Sequence, residues 1–191
     1  MQAFWIALGF VFLAEMGDKT QLVSLAFASR YSAKIVLAGV FVATLLVHIL
    51  SVVLGESAAM VLPRFWIDIA AGVSFIGFGV WTLRGDELKE GEIDKPSRFG
   101  PFLTVGTTFF LAELGDKTML TTITIASQQR QFVAVWLGST VGMVAADGLA
   151  IMVGNLLGAK LPERAIKLSA AAFFIGSGIY VLVQATMLWW R

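Results

Sequence analysis

Glu15, Asp18 and Lys19 stand inside an otherwise apolar stretch. Ala3 to Ala14 precedes them without a polar side chain, and Leu22 to Ala28 follows, broken only by Ser24. The same trio returns as Glu113, Asp116 and Lys117, because LAEMGDKTQL at 13–22 recurs as LAELGDKTML at 111–120, an offset of 98. Glu and Asp at i and i+3 share one face of a helix, so each string offers a pair of convergent carboxylates. Thr20 and Thr118 add hydroxyls, and Ser24, Thr121, Thr122 and Thr124 continue a polar path. Gln21 has no polar counterpart, since Met119 fills that position.

Charge counting indicates what such a constellation can do. If ionised, Glu15, Asp18, Glu113 and Asp116 contribute −4, and Lys19 and Lys117 return +2. The remaining −2 is neutralised by one divalent cation or by two protons, provided that all six groups converge. Carboxylate, hydroxyl and carbonyl oxygens suit Mg²⁺, Ca²⁺ and Mn²⁺. Softer metals would recruit Cys or several His, whereas Cys is absent and His48 stands alone. Met16 could offer a thioether, but its counterpart is Leu114. The plain alternative is that each carboxylate pairs with a nearby lysine and fixes helix packing. Charged groups at mid-bilayer cost at least ~2.5–3.5 kcal/mol each, which is much to spend on packing alone.

The elements that must position these residues are membrane spans. The chain has 191 residues, 58% hydrophobic and 14% charged, against about 25% charged in soluble domains. A net charge of +1 creates no global field directed at nucleic acid. A helix needs about 20 residues to cross the hydrocarbon. Six segments qualify, at about 3–28, 35–61, 65–83, 99–127, 132–159 and 165–189. The N-terminus lacks the cationic region of a signal peptide, so the first segment is expected to be retained.

The likeness between halves continues past the motifs. At an offset of 99, Pro63 matches Pro162, Gly55 matches Gly154, and Gly77 and Gly79 match Gly176 and Gly178. The expected fold is therefore all-α and membrane-integral, with six transmembrane helices arranged as a 3+3 inverted repeat. Residues 1–84 form the first three-helix repeat, 85–98 a charged linker, and 99–191 the second repeat. Glu15 and Glu113 fall roughly 20 Å along their spans, near the midplane. Gly17 and Gly115 weaken the helix there, which permits either a local break or close packing of a partner helix. Loops on the side of the linker hold nine Lys and Arg, against three on the other. That places the linker in the cytoplasm and both termini outside.

Outside the motifs, His48 aligns with Asp147 in the middle of spans 2 and 5, as a proton relay, a partner behind the site or a satisfied interior residue. Glu56 and Asp68 are expected near an interface, in structural roles. The Gly pairs at 77/79 and 176/178 are expected to allow close helix approach. Trp5, Trp66, Trp81, Trp189 and Trp190 lie near span ends, as an aromatic belt requires.

Two copies of Glu-x-Gly-Asp-Lys-Thr, one opening each half, resemble the signature of the transmembrane protein 165 family, formerly catalogued as uncharacterised protein family 0016. The resemblance covers essentially the whole chain and neither motif departs from it. It implies a secondary transporter of Mn²⁺ and Ca²⁺, exchanged for protons, with no cofactor beyond the transported ion. Carried over, Glu15, Gly17, Asp18, Lys19 and Thr20 occupy the first motif, and Glu113, Gly115, Asp116, Lys117 and Thr118 the second. The carboxylates are the expected metal ligands, and the lysines, threonines and glycines support them. Ser24, Thr122 and Gln21 join His48 and Asp147 as relay or supporting residues. The short chain looks like a bacterial member, exporting metal across the inner membrane. A cation channel with a carboxylate selectivity site is the alternative. An intramembrane protease is disfavoured, because Glu15 and Glu113 stand where a Gly-x-Gly-Asp motif needs glycine.

Overall fold

The computed structural model describes residues 1–84, 100–157 and 163–189. Among these, eight helices account for the regular structure: α1 (Gln2–Glu15), α2 (Lys19–Ala28), α3 (Ala33–Val61), α4 (Arg64–Arg84), α5 (Gly100–Glu113), α6 (Lys117–Gln129), α7 (Phe132–Leu157) and α8 (Glu163–Trp189). Four of them, α3, α4, α7 and α8, are long and apolar enough to cross a membrane. Their bounds follow the segments expected from hydropathy to within about two residues at the described ends. The expected linker at 85–98, Pro162 and Trp190 lie outside the described residues.

The segments expected at 3–28 and 99–127 are not continuous helices. Each divides in two at the motif. Gly17 and Gly115 have φ of +76° and +80°, a left-handed conformation that glycine adopts without a Cβ penalty. Asp18 then caps α2, its side chain accepting from the Thr20 backbone N–H at 3.4 Å. Asp116 occupies the same N-cap position on α6, without a side-chain capping bond. Of the two expectations for these glycines, the break is therefore the one realised. Glycine after a helix end and aspartate before a helix start are the usual stop and start signals, here set side by side.

The long-range packing exchanges elements between halves: α1 lies on α7, α5 on α3, and α4 on α8. Backbones approach closely where glycine allows it. A Cβ on Gly138 would lie 2.3 Å from the Phe4 carbonyl oxygen, and one on Gly142 would lie 2.5 Å from that of Leu8. Both sequences advance together, so α1 and α7 run parallel. Gly72 meets Leu182 and Gly178, while Gly79 meets Ile175 and Ala171, so α4 and α8 run antiparallel. Gly79 and Gly178 are thus contact points, as expected. Gly77 and Gly176 are not, for neither has an atom within 4 Å of a would-be Cβ. They lie on the other side of their helices, two residues away. Phe75 and Phe174, matched at the offset of 99, pack together with ring centroids 6.2 Å apart and planes tilted by 45°.

Gly138→Ala should test the α1–α7 seam. The added methyl meets backbone, which cannot rotate aside, so α1 must lift. Overpacking of this kind costs about 1–3 kcal/mol. A clear fall in the thermal unfolding midpoint in detergent is expected, with no fall for Gly176→Ala.

Candidate functional site

Both breaks place the carboxylates at helix ends. Glu15 and Glu113 are the last residues of α1 and α5, and Asp18 and Asp116 precede α2 and α6. All four are buried, at 0%, 0%, 1% and 4% exposure in that order. An aspartate at a helix N-terminus faces unpaired N–H groups and the positive end of the helix dipole, which favours it there.

The two motifs touch each other. Lys117, 3% exposed, places its ammonium 2.5 Å from Asp18 Oδ1 across the halves. Thr118 donates its hydroxyl to Glu15 Oε2 at 3.2 Å. On the first motif itself, the Thr20 hydroxyl lies against Glu15 Oε1 and against Asp18 Oδ2 at 2.9 Å. One hydroxyl carries one hydrogen, so it can donate to only one of these carboxyls at a time. The other bond forms when that carboxyl brings a proton of its own.

The second motif is less satisfied. Neither oxygen of Glu113 has a hydrogen-bond partner, although both are buried, and Asp116 Oδ2 is alike. Glu15, Asp116, Asp18 and Asp147 all stand near enough to act electrostatically on Glu113. Lys19 is half-buried and pairs with no carboxylate among the described residues. Among the described residues, no three Asp, Glu or His side chains are grouped tightly enough to hold one metal ion. Asp18 instead has a cation of the protein's own beside it, the Lys117 ammonium.

The supporting residues divide in the same way. Gln21 braces the first break, accepting from the Gly17 N–H at 2.8 Å and donating to the Ala146 carbonyl at 3.0 Å. Its counterpart Met119 offers the Gly115 N–H only a thioether sulfur at 3.2 Å. Ser24 donates to Asp147 Oδ1 at 2.8 Å, joining α2 to α7, while Asp147 Oδ2 has no partner. Thr122, the counterpart of Ser24, turns back to the Thr118 carbonyl at 3.0 Å instead. Thr124 likewise bonds the Leu120 carbonyl, and the Thr121 hydroxyl is buried without a partner. His48 is fully buried with neither nitrogen bonded, so it is not the satisfied interior residue that was one reading of it. Asp68, expected in a structural role near an interface, is ion-paired to Arg64 at 3.0 Å.

Two contacts escaped the sequence. The Ala146 carbonyl is backbone, which no residue type advertises. Lys167, read only as a loop charge, lies over Gly17, where a Cβ would meet its Cγ at 3.5 Å. Buried polar atoms are normally bonded. A cluster that leaves Glu113, Asp116 and Asp147 under-bonded, with only oxygens on offer, is chemically suited to protons and hard divalent cations.

Comparison with known proteins agrees with that chemistry. A family model described as "Divalent cation/proton antiporter GDT1" matches residues 3–90 and 101–188. A protein of Vibrio cholerae serotype O1 named "Putative manganese exporter" is 37% identical over 177 residues, covering 92% of this chain and 88% of its own. GDT1-like proteins 5 and 4 of Arabidopsis thaliana are 29% and 31% identical, over 96% and 94% of both chains respectively. No solved structure matches.

Proposed function

Since the chain belongs to the GDT1 family of divalent cation/proton antiporters, we propose that it exports Mn²⁺ from the cytoplasm in exchange for protons, and accepts Ca²⁺ at the same site. It is a membrane transporter by family and not an enzyme. Manganese is favoured by the name of the Vibrio relative and by a donor set of oxygens without thiolate or clustered imidazole.

One site built from both motifs is the core of the reading. The observation that carries it is the reach of Lys117 and Thr118 in the second half to Asp18 and Glu15 in the first. Glu15, Asp18, Glu113 and Asp116 are assigned as the ion ligands, supported by Thr20 and Thr118. Gly17 and Gly115 break the helices so that side chains and end carbonyls face the ion, as in discontinuous transporter helices. Asp147, held by Ser24, is assigned as the proton-carrying neighbour.

Six spans follow if α1 with α2, and α5 with α6, each cross the membrane as a broken pair beside the four long helices. Alternating spans require the first and fifth to run parallel and the third and sixth antiparallel. The courses of α1 along α7 and α4 along α8 meet both requirements. The matched stretches 3–90 and 101–188 fit two repeats flanking a linker. The excess of Lys and Arg puts that linker in the cytoplasm of a bacterial inner membrane, with both termini outside.

The test is reconstitution. In proteoliposomes loaded at one pH and diluted into another, an imposed proton gradient should drive Mn²⁺ uphill, with Ca²⁺ competing more strongly than Mg²⁺. Mn²⁺ flux that only ever follows its own gradient would make this a channel and end the exchange assignment.

A further inference from the structure

The two motifs contain the same residue types, yet the structure uses them unequally. Lys117 is buried on Asp18, whereas its twin Lys19 is half-buried and has no carboxylate among the described residues. Thr118 serves Glu15, whereas Glu113 has no donor. Gly17 is covered by Lys167 and Ile166, whereas among the described residues nothing lies within 4 Å of a Cβ placed on Gly115.

The supporting helices are unequal in register as well. Gly138 of α7 meets α1 at Phe4. Its counterpart Gly39 of α3 meets α5 at Val105 and Gly106, which correspond to Ala7 and Leu8. The two seams therefore differ by three to four residues, or about one helical turn. Further along, α1 is tight against Gly142, while the equivalent place beside Ala43 and Gly106 is an apolar cleft of about 350 Å³.

We infer that Lys19 and Lys117 are alternating occupants of the ion site: in the oppositely facing state Lys117 leaves Asp18, Lys19 takes Asp116, and Thr20 turns to Glu113. This rests on the single shared site proposed above and specifies how it is regulated. Each lysine is a tethered cation that competes with the ion for one aspartate. Because both pairs are Lys–Asp across the same interface, the two states are close in energy, which a cycle needs. The cleft beside α5 gives that helix room to take up the register that α1 already has. Gln21 and Met119, which differ between halves, bias the resting state towards the arrangement seen. The lysines are thus positioning residues acting on the ion through the aspartates.

Hydrogen–deuterium exchange of the full chain in lipid nanodiscs tests this, read at the amides of residues 16–19 and 114–117. In the unmodified protein the second segment should exchange faster, since its glycine is open. Lys117→Gln should shift the ratio towards the first segment by roughly tenfold, because loss of a buried pair biases an equilibrium by at least that factor. Lys19→Gln should leave the ratio at or beyond its original value, in favour of the second segment. Lys117→Arg should keep it. A lysine needed only for folding would loosen both segments together. Equal exchange at the two segments in the unmodified protein, an unmoved ratio in Lys117→Gln, or shifts of the same sign in both Gln variants would overturn the inference. Mn²⁺ titration of the unmodified protein and of Glu15→Gln, run in parallel, judges the shared site separately. Binding that survives Glu15→Gln sinks the site whatever the exchange ratios say.

Discussion

Glu113→Gln is expected to abolish proton-coupled Mn²⁺ transport while leaving the protein as thermally stable as before, or more so. The glutamate is fully buried, and neither of its oxygens has a partner. A buried polar group without a bond contributes nothing to stability and imposes its desolvation, about 1–3 kcal/mol and more for a charged group. Glutamine is nearly the same size and cannot ionise, so the substitution removes the part of that burden that comes from charge. Glu15→Gln should behave differently. Glu15 accepts from Thr118 and shares the Thr20 hydroxyl with Asp18, and a glutamine offers one acceptor oxygen where the carboxylate offers two. Transport should be lost in both variants, but only Glu15→Gln should also lower the unfolding midpoint. Proteoliposome flux and thermal unfolding on the same preparations decide the matter. Full flux in Glu113→Gln would remove it from the ion ligands. A large loss of stability there would mean that its carboxyl has structural partners after all.

That contrast between two glutamates could not be read from the sequence, although much around it could. Hydropathy located α3, α4, α7 and α8 because a span long enough for a bilayer has few ways to be misread. The doubled motif identified the carboxylates, since ionisable groups in such segments are rare. The break at Gly17 and Gly115 was left open beside close packing, yet Gly followed by Asp and then Thr carries its own signal. A left-handed glycine ends one helix, and the aspartate caps the next. Near-identical motifs give a sequence that is almost symmetric, and it cannot say which lysine is paired. The halves differ in helix register, and that difference is visible only where Gly138 meets Phe4 and Gly39 meets Val105. The same limit explains Gly77 and Gly176, which share a pattern with Gly79 and Gly178 but face away from the seam. Burial without partners, as at His48, is likewise a property of the assembled bundle and not of any short string.

Asp18→Asn should be among the most destabilising conservative substitutions in the molecule. It leaves Lys117, 3% exposed, without the carboxylate that lies 2.5 Å away. Removing one partner of a buried ion pair costs about 3–5 kcal/mol, mostly the penalty of the charge left behind. Lys117→Met, by the same reasoning, takes the ammonium away from the buried Asp18 carboxylate. The double variant removes both charges and should recover most of the stability lost by either single one, with a coupling energy well above 1 kcal/mol. The same cycle on Lys19 and Asp116 should give little coupling, because those two groups are not paired in this state. Thermal or denaturant unfolding of the seven proteins measures both cycles. Transport should not follow stability: the Asp18→Asn, Lys117→Met double variant should fold and yet move no Mn²⁺, since an ion ligand has gone. Equal coupling in the two cycles would mean that both lysines are seated at once, and the asymmetry on which the alternating pair depends would be lost.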